Sequence, residues 1–352
     1  MDNEAQIIHE KLSANRDHRV AMTALIGSGE AIAFVGAGLS IPLGYPGWPA
    51  LLTTMETTAA SISPFTATGG SLLQRAQAVK DHFIQHTRLP MYHELLGREY
   101  GSRPKRNCTD THRRLVKLPF RAFATTNYED SIETALVQYS DDERRSANPG
   151  VIIKPGDDDR HRVSLFLRSL TEPRGQRLVG HLHGRHDDTK NIILTEGDYH
   201  SAYGIGQPGQ KTTLHRHLVW ALFATRRLVF AGCSKDDPFV RELLELVATD
   251  LWETSTTMHY VILPLDQKTL DSAESTAASF KRFGVQVVYY DNLKGDHGLL
   301  DNLLDEAAHV SPAHSKPLAA AAAAPTPPTA AAAPDTNWLD SVSERNLPEV
   351  KS

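Results

Sequence analysis

The fold class predicted by this chain is α/β, a Rossmann-like, doubly wound and mostly parallel sheet, and three observations predict it. Ala31-Ile32-Ala33-Phe34-Val35 is apolar throughout, as a strand buried on both faces is, and it passes straight into Gly36-Ala37-Gly38. Further short apolar runs at 120–126, 177–182 and 228–234 likewise end in small or polar residues. Helical periodicity fills the intervals, and strands alternating with helices imply parallel pairing with both faces covered.

The chain has 352 residues, which suggests two domains or one large α/β domain with an appendage, and 40% hydrophobic residues suffice for a large core. A net charge of −5 without a dense Lys/Arg run argues against a general nucleic-acid binder. No apolar leader and no run of 18 apolar residues is present, so neither secretion by a signal peptide nor a membrane span is expected. Two cysteines, Cys108 and Cys233, exclude a disulfide framework and a four-cysteine zinc ribbon, and the expected compartment is the reducing cytoplasm. With 17 histidines, no single one is informative by itself.

In chain order, residues 1–26 read as helix, with Ile7, Ile8, Leu12, Val20, Leu25 and Ile26 as apolar contacts, ended by Gly27-Ser28-Gly29. Such a helix packs on its own domain or supplies a subunit contact. The strand at 31–35 then turns through glycines, which let backbone amides approach a phosphate closely. A strand followed by Gly-x-Gly is a plain structural turn about as often. The third glycine of the dinucleotide fingerprint is also replaced, by Ile41 with Pro42 after it. Residues 48–116 are helical with breaks at Pro64, Gly69-Gly70, Pro90 and Gly101, and Leu72, Leu73, Ala76, Val79, Phe83 and Ile84 form a 3.6-residue stripe. That block is too long for a crossover helix and reads as a helical insertion after the first strand, a small second lobe.

The strand at 120–126 ends in Asn127-Tyr128-Glu129-Asp130, and a helix runs on to about 137. Polar residues there face the ligand crevice of an open sheet or cap the next helix; the segment alone leaves both open. A charged loop at 140–148, a strand at 151–154 and a helix at 163–170 lead to His181-Leu182-His183-Gly184. Two histidines spaced by one on a strand share a face, but no acidic or cysteine partner lies at a metal-ligand spacing. A short strand at 191–194, a turn-helix from Thr195 and a helix at 214–225 precede the strand at 228–234. Asp237-Pro238 opens a helix to about 247, strands at 258–264 and 285–290 flank another, and the last helix is at 298–308. Residues 311–334, rich in Ala, Pro and Thr, read as a disordered linker, and 335–352 as a tail whose Trp338 and Leu339 offer a docking peptide. The expected division is an N-terminal helix at 1–30, an α/β domain at 31–310 with its insertion at 48–116, the linker and the tail.

Four strand ends in order, Gly36-Ala37-Gly38-Leu39-Ser40, Thr125-Thr126-Asn127-Tyr128-Glu129, His181-Leu182-His183-Gly184 and Gly232-Cys233-Ser234, together resemble the sirtuin family of NAD+-consuming enzymes. Leu194-Thr195-Glu196-x-Asp198-Tyr199 and Gly232-x-Ser234-x-x-Asp237 are similar to the sirtuin-like NAD+ hydrolase branch of prokaryotic antiphage systems, and the resemblance covers about 25–305. It implies a phosphate-contacting loop of Gly36, Ala37, Gly38 and Ser40, a nicotinamide–ribose pocket around Asn127, and His183 as the catalytic histidine. Gly232 and Ser234 would line the adenosine half, with Thr126 and Asp237 among the cofactor-binding residues. The departures fall on the protein-substrate side. No cysteine stands between His183 and Cys233, where deacylases carry a four-cysteine zinc module. Gly44-Tyr45-Pro46-Gly47-Trp48 replaces their Ile-Pro-Asp-Phe-Arg, and Lys235-Asp236-Asp237-Pro238 their peptide-pairing valine-proline run. Thr126 and Glu129 replace Gln and Asp.

The resemblance therefore implies an NAD+ glycohydrolase, releasing nicotinamide and ADP-ribose, with NAD+ as substrate and no metal. Its expected setting is antiphage defence by NAD+ depletion. Asn127 suits the positioning of ribose and water, and His183, with an ordinary imidazole pKa of about 6.5, suits the base. A side chain at Gly38 is expected to remove NAD+ binding with little loss of thermal stability. The alternatives are a non-catalytic NAD+- or ADP-ribose-binding sensor or assembly subunit and, with its peptide groove missing, a deacylase or ADP-ribosyltransferase. Unrestrained NAD+ loss kills the host, so control by homo-oligomer assembly or by a partner is expected, such as a HerA-like ATPase or an Argonaute-like protein. Direct nucleic-acid or membrane binding is not.

Overall fold

In the computed structural model the apolar runs become the strands β1 (Ile32–Val35), β2 (Ala122–Thr125), β3 (Arg145–Ile152), β4 (Arg177–His181), β5 (Leu228–Ala231), β6 (His259–Leu265) and β7 (Val285–Asp291). The structure describes residues 3–310 apart from 68–69, 103–106, 142, 155–159, 173–174, 205–212, 234–243, 246, 248–257 and 296. Among them the sheet has seven strands in the order β3-β4-β2-β1-β5-β6-β7, with every neighbouring pair parallel. This is the parallel doubly wound architecture that the sequence predicts. The order reverses at β1, which has β2 on one side and β5 on the other, and a reversal of that kind opens a crevice at the carboxyl ends of the strands.

Successive side chains of β1 enter opposite cores, as the two-residue period of a strand requires. Ile32 and Phe34 join the core under α8 (Arg160–Thr171), α9 (Glu196–Tyr203), α10 (Leu214–Thr225) and α12 (Ala273–Lys281). Ala31, Ala33 and Val35 join the core under α2 (Arg16–Gly27), α6 (Asp110–Lys117), α7 (Ser131–Tyr139) and α13 (Gly298–Val310). The helix expected over 1–26 is two, α1 (Asn3–Ala14) and α2, parted at Asn15. Ile8, Leu25 and Ile26 are buried, and Ile8 packs on Leu265, on Leu270 of α11 (Gln267–Leu270) and on Ala273. Val20 is 60% exposed, against its expected role as an apolar contact.

The helical stretch after β1 divides between two cores. α3 (Trp48–Ile62), α4 (Leu72–Gln85) and α5 (Leu89–Tyr100) share a core of their own that includes Leu52, Met55, Val79, Phe83 and Leu96. Leu115 and Val116 of α6 instead pack under the sheet. Pro90 breaks nothing: it lies in the first turn of α5, where its missing N–H is no loss. Two other expectations change. Strand β3 begins at Arg145 inside the expected charged loop and shifts register before Gly150; as an edge strand it tolerates Pro149. In place of a strand at 191–194 there is a 3-10 turn, Thr189–Asn191, followed by irregular chain whose Ile193 amide donates to His183 O at 3.0 Å.

The helix expected after Asp237 is described only at 244, 245 and 247, with Leu244 and Val247 buried. Ser234, Asp237, the linker and the tail lie outside the described residues. Among those described, no helix is long and apolar enough to cross a membrane.

Candidate active site

The chain leaves β1 through two consecutive 3-10 turns, Ala37–Leu39 and Ile41–Leu43, before α3 begins at Trp48. The glycines serve the close approach of this loop to the end of β5. A Cβ on Gly36 would lie 2.6 Å from Gly232 O, and one on Gly38 2.7 Å from the same atom. Gly232 has φ +73°, a left-handed conformation that favours glycine, and its own Cβ would meet Leu39 Cγ at 2.7 Å. The amide of Gly36 donates to Ala231 O at 2.9 Å and that of Gly38 to Gly232 O at 2.8 Å. Leu39 and Ser40 donate back to Gly36 O and Ala37 O. Most of the loop's donors are thus spent on β5 and on the turn itself, and of its first three residues it is Ala37 that lines the pocket above.

The loop after β2 is anchored by Thr125, whose Oγ1 donates to Val35 O at 2.8 Å and accepts from the Asn127 amide at 2.9 Å. Asn127 Nδ2 donates to Glu129 Oε1 at 3.0 Å and to Ser40 Oγ at 3.3 Å. Ser40 Oγ in turn donates to Glu129 Oε1. Glu129 Oε2 accepts the Ser131 amide at 2.6 Å, in the first turn of α7. The polar residues of this segment thus divide between two tasks. Glu129 caps α7, while Asn127 joins Ser40 in a buried polar cluster between the β1 and β2 loops.

The two histidines at the end of β4 part company. The strand ends at His181, so its alternation no longer governs His183, and the rings do not share a face as expected. His181 Nδ1 meets Asn127 O at 3.0 Å and its Nε2 meets Glu133 Oε1. Both partners only accept, so both ring nitrogens donate and the ring is an imidazolium. Burial alone would push its pKa down, but the Glu133 carboxylate holds it above the ordinary value. Burial would likewise raise Glu133, and His181 with Arg185 keeps it low. Arg185 Nη1 also donates to Glu133 Oε1, at 3.0 Å.

His183 is buried, with Nε2 2.9 Å from Tyr203 Oη and its ring edge-on to Tyr199, centroids 5.2 Å apart. Burial, with His215 nearby, pushes its pKa well below the ordinary imidazole value expected from sequence, so the ring is neutral near pH 7. Both tyrosines ride on α9, whose start is a capping box: Thr195 Oγ1 accepts the Asp198 amide and Asp198 Oδ2 the Thr195 amide. Asp198 Oδ1 also pairs with Lys80 Nζ of α4 at 2.6 Å. Thr195 and Asp198 thus begin and anchor the helix that carries Tyr199 to the pocket.

One pocket gathers Ala37, Ser40, Thr126, Asn127, Glu129 and His183 over the carboxyl ends of β1, β2 and β4. Its other wall is Tyr45, Pro46, Trp48, Tyr100, Tyr128 and Tyr199. Of the residues named from sequence, Gly36, Gly38 and Gly232 are not in its lining, and Ser234 and Asp237 lie outside the described residues. Sequence reasoning missed Tyr100, Tyr203 and His215. The four-residue spacing of Tyr199 and Tyr203 on a helix was the available signal for one of them. Among the described residues no group of three His, Cys, Asp or Glu is placed to hold a metal ion.

Similarity to known proteins agrees with this geometry. The chain is 26% identical over 238 residues to the NAD(+) hydrolase ThsA of Enterococcus faecium, an alignment covering 68% of this chain and 44% of that protein. It is 24% identical over 245 residues to ThsA of Bacillus cereus (strain MSX-D12), covering 70% and 45%. With ThsA of Acinetobacter baumannii (strain 532279) the identity is 29% over 229 residues, covering 65% and 41%. The match spans less than half the length of each of these relatives. Residues 121–288 match the family model of the SIR2-like domain, a stretch running from the start of β2 into β7. β1, with its glycine loop, lies ahead of that stretch but is hydrogen-bonded between β2 and β5. With the crevice at its reversal point, the sheet includes a stretch similar to the SIR2-like domain.

Proposed function

We propose that the chain hydrolyses NAD+ at the nicotinamide–ribose bond, giving nicotinamide and ADP-ribose. The observation that carries this is the convergence of Ser40, Asn127, Glu129 and His183 on one pocket at the carboxyl ends of β1, β2 and β4. Relatives named NAD(+) hydrolase support the same reading. Nicotinamide leaves as a neutral molecule from a cationic nitrogen, so no general acid is needed. The C–N electron pair goes to the ring nitrogen, and the ribose gathers oxocarbenium character. The Glu129 carboxylate is the acidic group in the pocket suited to face that charge. Asn127 orients the ribose hydroxyls and water. His183 takes a proton from the attacking water or from a ribose hydroxyl as the new C–O bond forms. Ala37 offers its backbone amide to a phosphate oxygen.

The test is nicotinamide release by the full chain, alone and with the product of a neighbouring gene. His183→Ala and Asn127→Ala should each fall below about a tenth of the parent rate, since base catalysis is worth about 100- to 10,000-fold. Higher residual rates would remove these residues from the chemistry. Binding of NAD+ without turnover under either condition would favour a sensor or assembly subunit instead. We further propose that such an activity serves defence by NAD+ depletion and is held off by homo-oligomer assembly or by a partner protein.

A further inference from the structure

We propose that Tyr203 and His215 are positioning residues that hold the His183 ring in its base-competent tautomer, an inference that rests on the hydrolase reading above. Tyr203 Oη lies 2.9 Å from His183 Nε2 and 2.9 Å from His215 Nε2, so one phenol hydroxyl bridges two imidazoles. All three side chains are buried, and neither Tyr203 nor His215 lines the pocket. The chain therefore supports His183 from behind, out of reach of substrate.

The direction of the chain follows from counting protons. With Nε2 of His183 held by Tyr203, base chemistry at that ring runs through Nδ1, which must then carry no proton. Nε2 is accordingly the protonated nitrogen and donates to Tyr203 Oη. The phenol has one proton, and it passes to His215 Nε2 as acceptor. His215 then carries its own proton on Nδ1, a buried atom without a hydrogen-bond partner among the described residues. Burial pushes the His215 pKa down to about 3, which makes this ring a poor resting place for a second proton. It orients the bridge and does not receive the proton taken from water. The bond also fixes the plane of the His183 ring, whose edge abuts Tyr199.

The experiment uses the full chain with 15N-labelled histidine and the variants Tyr203→Phe, His215→Gln and His215→Leu. In the parent, the His183 ring, assigned by its loss in His183→Gln, should show the single tautomer protonated at Nε2, and Tyr203→Phe should mix the two. In NAD+ cleavage, Tyr203→Phe and His215→Leu should each lower kcat by about tenfold or more with KM within about twofold. His215→Gln, whose carboxamide oxygen can still accept from Tyr203, should stay within about threefold of the parent. A proton on Nδ1 of His183, or a kcat unchanged in Tyr203→Phe and His215→Leu, overturns the proposal, as does failure of Gln to outperform Leu at 215. If the parent cleaves no NAD+, the hydrolase reading fails by itself, while the spectra still decide the tautomer.

Discussion

His181 and His183 are two residues apart and have opposite electrostatics, and only the second was legible as a site residue. His181 sits between Asn127 O and Glu133, and its charged ring ties the end of β4 to α7. Their opposite charge states were not legible, because the partners that set them, Glu133 and Tyr203, are 48 residues before and 20 after. His181→Ala should cost about 3 kcal/mol in urea denaturation, the usual scale for breaking a buried ion pair, and lower activity less than His183→Ala does. Unchanged stability would mean that Arg185 alone satisfies Glu133. His183 is the reverse case, an imidazole kept neutral by burial. The rate of NAD+ cleavage should therefore show no acid limb near pH 6.5, because a base with a lowered pKa stays unprotonated until pH falls well below that value. A limb centred at about 6.5, the unperturbed imidazole value, would show that the ring is solvated in the working enzyme.

At the scale of elements, the apolar runs announced every strand that carries the pocket, because both faces of each are covered. Short-range signals failed where a distant element decided the outcome. Residues 191–194 read as a strand by their apolar character, but the chain there meets His183 through one hydrogen bond and forms no ladder among the described residues. The Gly-Ala-Gly run read as a phosphate loop or a plain turn, and the crowding of its glycines comes from the β5 loop nearly 200 residues later. This changes what substitution there does. Gly38→Ala places a methyl group 2.7 Å from a backbone oxygen that cannot rotate away, so it should destabilise by about 2 kcal/mol, as overpacking does. Thermal melting of Gly38→Ala decides the matter: an unchanged Tm would restore the sequence expectation that this glycine serves ligand alone.

Across the whole molecule, the order of the sheet places the pocket and was only partly legible. Periodicity identified strands and helices, but which strand neighbours which depends on contacts far apart in sequence. The buried histidines set the response to acid. Burial lowers His112, His183, His215 and His259, the last to about 4, where it accepts the Leu228 amide and gains nothing from a proton. As pH falls through about 6.5 the unfolded chain protonates at these positions and the folded one does not, which costs about 1.4 kcal/mol per pH unit for each. His181 has the opposite sign: its raised pKa contributes stability below the unfolded value, lost as pH rises through the folded one. Four groups against one predict a Tm several degrees lower at pH 5 than at pH 7, measured by calorimetry. A Tm that rises into acid would mean that these rings are not buried neutral. The central position of β1 also has a consequence for synthesis. Ile32 pairs with Ala122 on one side and with Leu228 on the other. At about 5–20 residues per second on a ribosome, its second partner emerges roughly 10–40 s after the strand itself. During that interval this fully buried strand has an open edge, and the order of translation leaves α2 and α6 as the first cover of the face that carries Ala33 and Val35.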